Sequence, residues 1–394
     1  MSAVLIAALA ALGQPAAAAP AAAAPEAPAA WIQPDPSTLR RVFGVRYTRS
    51  YADFELLKTN EEEWTVPLIS PDGVRLYVGT RTGILEALDL ATGESLWKRT
   101  DMGTLGYGMA EFRGRVLVGS DAALVGLDPQ IGKEHWRVEI EGKLAAEMTV
   151  TGTVALLPVR PNTLVAVDLV EHKVLWRVKR PTPDSITVRG QCPAVIDAAR
   201  GRVYVGFSDG TLVALDKDTG STVWVAPLGT RKDFFADVDV APILVDDGKA
   251  LLTASYNGGL FKLDAETGNR IWHQPLGRIT GLVRIDRGLL VASLGSGQVA
   301  ALYEANGKVR WRYKVKKGYP SQPVALEHGL VAFAVSKGPI TILDAARGRP
   351  VQLITPGSGM VVPPARSGDD MVALTNEGLL LVMRRGEGGG AAAR

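Results

Sequence analysis

Carboxylates recur in this 394-residue chain at Asp89, Asp128, Asp168, Asp216, Asp264 and Asp344, spaced by roughly 40 to 50 residues except for the last gap, which spans two such intervals. Aspartates in a regular array could hold calcium or serve as general bases. Each of these, however, ends a short apolar run, and most are followed within a few residues by a glycine. An aspartate there hydrogen-bonds its own backbone and builds a turn. The histidines, His135, His172, His273 and His328, fall in different parts of the array without the short spacings of a metal site. One cysteine, Cys192, permits neither an intramolecular disulfide nor a multi-cysteine metal site, and its expected role is that of a small buried apolar residue. No nucleophile elbow, P-loop or dinucleotide-binding glycine motif occurs in a strand-to-helix context. The sequence therefore designates no catalytic, cofactor-binding or metal-binding residue, and no cofactor is expected.

A different chemistry is available at two irregular stretches. In Ser185 to Gly190, Ile186 and Val188 flank Thr187 and would point the same way from an extended loop, with Arg189 beside them. Apolar groups next to an arginine make a plausible interface anchor. In Ala236 to Pro242, Asp237 and Asp239 share a face by the same alternation and could orient Arg189 or accept from a partner. The same residues could equally begin an inner strand and cap a turn.

The elements that carry these residues repeat. Lys262-Leu263-Asp264-Ala265-Glu266-Thr267-Gly268-Asn269-Arg270-Ile271-Trp272 is a strand end, a tight turn and the start of a strand bearing a large aromatic ring. Variants recur with Trp97, Trp136, Trp176, Trp224 and Trp311. Apolar runs of four to six residues rich in Val, Leu and Tyr, separated by Gly, Asp, Asn and Pro, read as strands, and no helical period is present. Asp209-Gly210 supplies the positive φ angles of a two-residue hairpin, so the runs pair antiparallel. Adding a strand at Pro193 to Ile196, Val240 to Leu244 and Gln322 to Ala325 makes each unit a four-stranded meander. Eight such units can be counted. Small sheets in tandem bury their faces by stacking radially into a closed ring, with a tryptophan wedged between neighbours. The expected fold is all-β: an eight-bladed β-propeller of four-stranded antiparallel blades. The last unit lacks an outer strand, which Val42 to Tyr47 near the N-terminus would supply, closing the ring.

The Ala265 to Trp272 motif resembles the repeats of pyrroloquinoline-quinone-dependent dehydrogenases and of component B of the outer-membrane β-barrel assembly machinery. The second likeness extends over about residues 40–385, in length, repeat count, Ala236 to Pro242, Ser255 to Leu260 and Ser185 to Ala194. It implies a non-catalytic periplasmic scaffold at the inner face of the outer membrane. It also implies docking onto the periplasmic domains of the barrel component through Ile186, Thr187, Val188, Arg189, Asp237 and Asp239. Ile186 and Val188 stand where the family has leucines. Unfolded outer-membrane protein clients are a further implied partner, bound along a blade edge. The alternative is a quinone-dependent dehydrogenase-like or ligand-sensing propeller, against which the single cysteine and the lack of placeable calcium ligands count.

Met1 to Leu12 is apolar and Pro15 to Ala30 is an Ala/Pro tract, so residues 1–30 read as an export signal and linker, although no Lys or Arg precedes Arg40. No cysteine follows to accept a lipid, so this N-terminus does not support a lipid anchor. Residues 386–394 cannot bury a core and should form a loose tail. With 46% hydrophobic and 22% charged residues and a net charge of +3, the composition is that of a globular protein with no nucleic-acid footprint. Neither nucleic acid nor a small-molecule substrate is expected as a partner, and the chain should act as a monomer within a complex.

Overall fold

The computed structural model describes residues 31–32, 37, 39–51, 63–103, 105–182, 191–229, 235–285 and 288–386. Eight antiparallel meanders follow one another around a ring. Blades 1 to 7 run over 68–99, 105–139, 149–179, 195–227, 243–274, 279–314 and 324–354. Blade 8 takes three strands from 365–385 and its outermost strand, Phe43–Ser50, from near the other end of the chain. That strand pairs antiparallel with Leu379–Arg385, Phe43 opposite Arg385 and Ser50 opposite Leu379, so the ring is closed as expected. Among the described residues no helix is long and apolar enough to cross a membrane.

The innermost strands begin later than the sequence suggests, at Val195–Asp197, Ile243–Val245 and Val324–Leu326. Pro193, Pro242 and Pro323 stand just ahead of them, and a residue without an N–H cannot join the ladder. The central two strands of every blade are almost entirely buried, as in Leu251, Leu252, Leu260 and Leu263 of blade 5. They contribute to apolar clusters that span neighbouring blades, for example from Val240 and Leu252 to Leu290 and Leu302.

Each outer strand turns one large side chain onto the turn of the next blade. Trp97 donates to Pro129 O (2.9 Å), Trp176 to Lys217 O (3.1 Å), Trp224 to Ala265 O (3.2 Å) and Trp311 to Ala345 O (2.9 Å). The ring lies against the glycine that ends that turn: a Cβ on Gly132 would stand 2.6 Å from Trp97, and on Gly220, Gly268 or Gly307 2.7 Å from Trp176, Trp224 or Trp272. Blade 3 has no glycine at this place, and His172, at φ +51°, stacks on Trp136 with centroids 4.6 Å apart. A register shift beside each of these tryptophans bulges the strand, which re-aims the side chain. Tyr47 plays the same part for the closing strand, its ring over Gly93 and its hydroxyl donating to Leu90 O (3.2 Å). Blade 7 carries Gln352 instead, whose amide accepts from Val42 N and Phe43 N and donates to Phe43 O, all at 2.8 Å. Six tryptophans, a glutamine and a tyrosine thus join the eight blades.

Candidate docking face and central funnel

The recurrent aspartates are turn formers. Asp264 Oδ1 accepts from Glu266 N (3.1 Å), Thr267 N (2.8 Å) and Thr267 Oγ1 (2.8 Å), and Asp89 and Asp216 repeat the set with Thr92 and Thr219. These hydrogen bonds hold the carboxyls of Asp89, Asp128, Asp168, Asp216 and Asp264 below the ordinary range. The histidines also have structural surroundings. His135 Nε2 lies 3.3 Å from Asp128, His273 stacks on Phe261 and meets Gly258 O at 2.7 Å, and His328 occupies a tight turn. Among the described residues no group of three or more His, Cys, Asp or Glu side chains is arranged to hold a metal.

A concavity opens at the ring's centre on the face where each outer strand hands over to the next inner one. Its wall is built from the same position of successive repeats: Trp64 and Val66, Tyr107, Ala145 to Glu147, Gln191 and Pro193, Asp239, Gln322, and Val361 to Pro363. Every one of these lies on or just ahead of an innermost strand, so the meander brings them together although they span about 300 residues. Trp64 and Tyr107, from neighbouring blades, pair on this wall with centroids 5.7 Å apart. Glu147 and Asp239 make it acidic, and Gln191 and Gln322 add amides.

Of the residues singled out in the sequence, Ile186, Thr187, Val188 and Arg189 lie outside the described residues, in the connection between blades 3 and 4. That connection ends at Gln191, on the funnel wall. Asp239 lies on the same wall, and its charge acts on the thiol of Cys192, the next residue along. The structure therefore brings Asp239 to the exit of the 183–190 connection. Neither aspartate stands out as an exposed acceptor: Asp237 is 1% and Asp239 7% exposed. Their segment is pinned by its backbone, Tyr256 N donating to Asp237 O (2.9 Å), Ser255 Oγ to Ala236 O (3.0 Å) and Val238 N to Phe207 O (3.2 Å). Val238 packs where Gly206 leaves no room for a side chain. Cys192 is fully buried, its sulfur accepts from Gly206 N (3.1 Å), and burial pushes its thiol up to about 12. Trp64, Tyr107, Glu147 and Gln322 were missed by sequence reasoning. The available signal was their shared place just ahead of the inner strand, visible once the repeats are aligned.

Compared with known proteins, the chain matches the family model described as "Outer membrane protein assembly factor BamB" over residues 81–313, more than half its length. The chain belongs to the BamB family. Curated BamB proteins from Burkholderia pseudomallei and Yersinia pestis are 27% and 24% identical to it. The first alignment covers 78% of this chain and 81% of that protein, the second 69% and 70%. The crystal structure of BamB from Moraxella catarrhalis superposes with a TM-score of 0.72 at 21% identity, covering 87% of this chain and all of that one. Quinohemoprotein alcohol dehydrogenase from Comamonas testosteroni superposes almost as well, at a TM-score of 0.70 and 16% identity over 89% of this chain. At such identities the two superpositions establish the ring and say nothing of chemistry. The family match is what separates this BamB member from a dehydrogenase built on the same blades.

Proposed function

We propose that this protein is a non-catalytic periplasmic scaffold for outer-membrane protein assembly, and that it docks onto the periplasmic domains of the barrel component. The docking residues of this reading are Ile186, Thr187, Val188, Arg189, Asp237 and Asp239. The observation that supports this reading is that Asp239 and Gln191, the first described residue after the connection bearing Ile186 to Arg189, line the same funnel. A buried carboxylate next to an arginine-bearing connection can fix the guanidinium's direction without itself touching the partner. Residues 1–30 act as the export signal and linker.

The test is a pull-down of the organism's own barrel component. An Ile186→Asp/Arg189→Glu variant should lose at least tenfold in binding while retaining its melting temperature; undiminished binding would sink the assignment. A second reading, a ligand-binding propeller, has the aromatic and acidic funnel in its favour. It predicts a spectral change on titration with pyrroloquinoline quinone and calcium, where the scaffold reading predicts none.

A further inference from the structure

Blade 6 has a fifth strand. Trp31–Ile32 lies parallel to its outermost strand, Val309–Lys314, with Trp31 opposite Arg312 and Ile32 opposite Tyr313. The chain next touches blade 7, where Arg40 N donates to Val351 O (2.7 Å), before it becomes the outer strand of blade 8. The edge of blade 6 thus accepts an extended peptide, and the one it holds pairs with two of its six residues. The remainder of the edge keeps backbone groups with no strand beside them among the described residues, the condition that invites strand addition.

This edge is also chemically unlike the others. In Val309 to Lys317, alternation sends Trp311, Tyr313 and Val315 inward, each at most 6% exposed, and leaves Arg310, Arg312, Lys314 and Lys316 on the outward side. The position before the blade tryptophan is apolar in blades 1, 3, 4 and 5 (Leu96, Leu175, Val223, Ile271) and is Arg310 here. Arginines of three other outer strands have carboxylate partners, Arg99 with Asp101 (2.7 Å), Arg137 with Glu134 (2.8 Å) and Arg177 with Glu141 (3.2 Å), whereas Arg270 of blade 5 forms no ion pair among the described residues. Among the described residues Arg310, Arg312, Lys314 and Lys316 form no ion pair; Arg310 lies over the Tyr303 ring at 5.6 Å and Arg312 reaches Gln298 Oε1 at 3.4 Å.

We propose that the outer edge of blade 6 is a β-augmentation site for an extended partner segment with acidic residues at alternate positions, and that Trp31–Ile32 occupies it in cis until that partner arrives. Cations two residues apart on a strand repeat every ~6.6 Å, which matches alternate side chains of a strand laid beside it. A membrane surface has no such register. A partner pairing along the full edge makes more backbone hydrogen bonds than the two-residue cis segment and displaces it.

The probe is a fluorescein-labelled nine-residue peptide alternating Thr and Glu, with a Thr and Lys peptide as control, added to the full chain at low salt. Anisotropy should show binding of the first and not the second, and hydrogen exchange should slow over 309–314. Arg310→Glu/Arg312→Glu, at an exposed and a half-buried position, should weaken binding at least tenfold. Trp31→Pro/Ile32→Pro should strengthen it about fivefold, the factor one net backbone hydrogen bond contributes. Equal binding of both peptides, indifference to the charge reversal, or no gain in the proline variant would overturn the proposal. So would binding of phosphatidylglycerol vesicles with no peptide protection of 309–314.

Discussion

Consider alanine placed at Gly268 and at Gly73. Both glycines have left-handed φ angles, +73° and +70°, so either substitution pays the cost of a side chain in that region, about 1–2 kcal/mol. Their surroundings differ. A Cβ at Gly73 meets no heavy atom within 4 Å, whereas at Gly268 it falls 2.7 Å from Trp224 Cε3 and 2.8 Å from Cδ2. Backbone holds one side of this contact and a half-buried indole, tied to Ala265 O, the other. Relief must come from shifting the ring or separating blades 4 and 5, which adds about 1–3 kcal/mol. Gly268→Ala should therefore cost about 2–5 kcal/mol against about 1–2 for Gly73→Ala. The assay is guanidinium denaturation followed by tryptophan fluorescence, with midpoint shifts converted at a common slope. A Trp224→Ala background supplies the decisive comparison, because removing the ring should bring the cost of Gly268→Ala down to that of Gly73→Ala, a coupling of about 1–3 kcal/mol. If Gly268→Ala costs no more than Gly73→Ala, or if the Trp224 and Gly268 effects simply add, the glycine serves only its turn and the account of blade joining is wrong.

Three other outcomes follow from the same geometry. Gln352→Leu removes three 2.8 Å hydrogen bonds to Val42 and Phe43 and should cost about 2 kcal/mol, seen as a lower melting temperature and faster proteolysis ahead of Phe43. The carboxyls of Asp89, Asp128, Asp168, Asp216 and Asp264 are lowered in the fold, chiefly by hydrogen bonds from Thr92, Gln130, Glu171, Thr219 and Thr267. Their contribution is complete above the unfolded carboxyl range near pH ~4 and is lost as pH falls through the lowered folded values, so the denaturation midpoint should decline below about pH 4, less steeply in an Asp216→Asn/Asp264→Asn variant. The Cys192 thiol, buried and pushed up to about 12, should resist iodoacetamide at pH 8 in the native protein and react on unfolding; modification of the native protein would contradict its placement.

The sequence by itself determined the ring. The strand period, the Asp-to-Gly turns and a large aromatic in six of the eight units specify repeated meanders, and a final unit lacking one strand requires a strand from elsewhere, found at Phe43–Ser50. These are local signals, each contained within one repeat. Tertiary structure alone decided what the units do to one another. That Trp224 rests on the glycine of the following turn, that Gln352 and Tyr47 replace tryptophan where the chain closes on itself, and that Trp31–Ile32 lies on blade 6 depend on contacts across blade boundaries. The candidate site divides in the same way. Asp239 was legible from its motif, but its burial and its place beside Gln191 were not, and neither was the funnel of Trp64, Tyr107, Glu147 and Gln322. A ring converts one position of a repeat into neighbours around an axis. No spacing along the chain carries that proximity, because it exists only once the last blade has met the first.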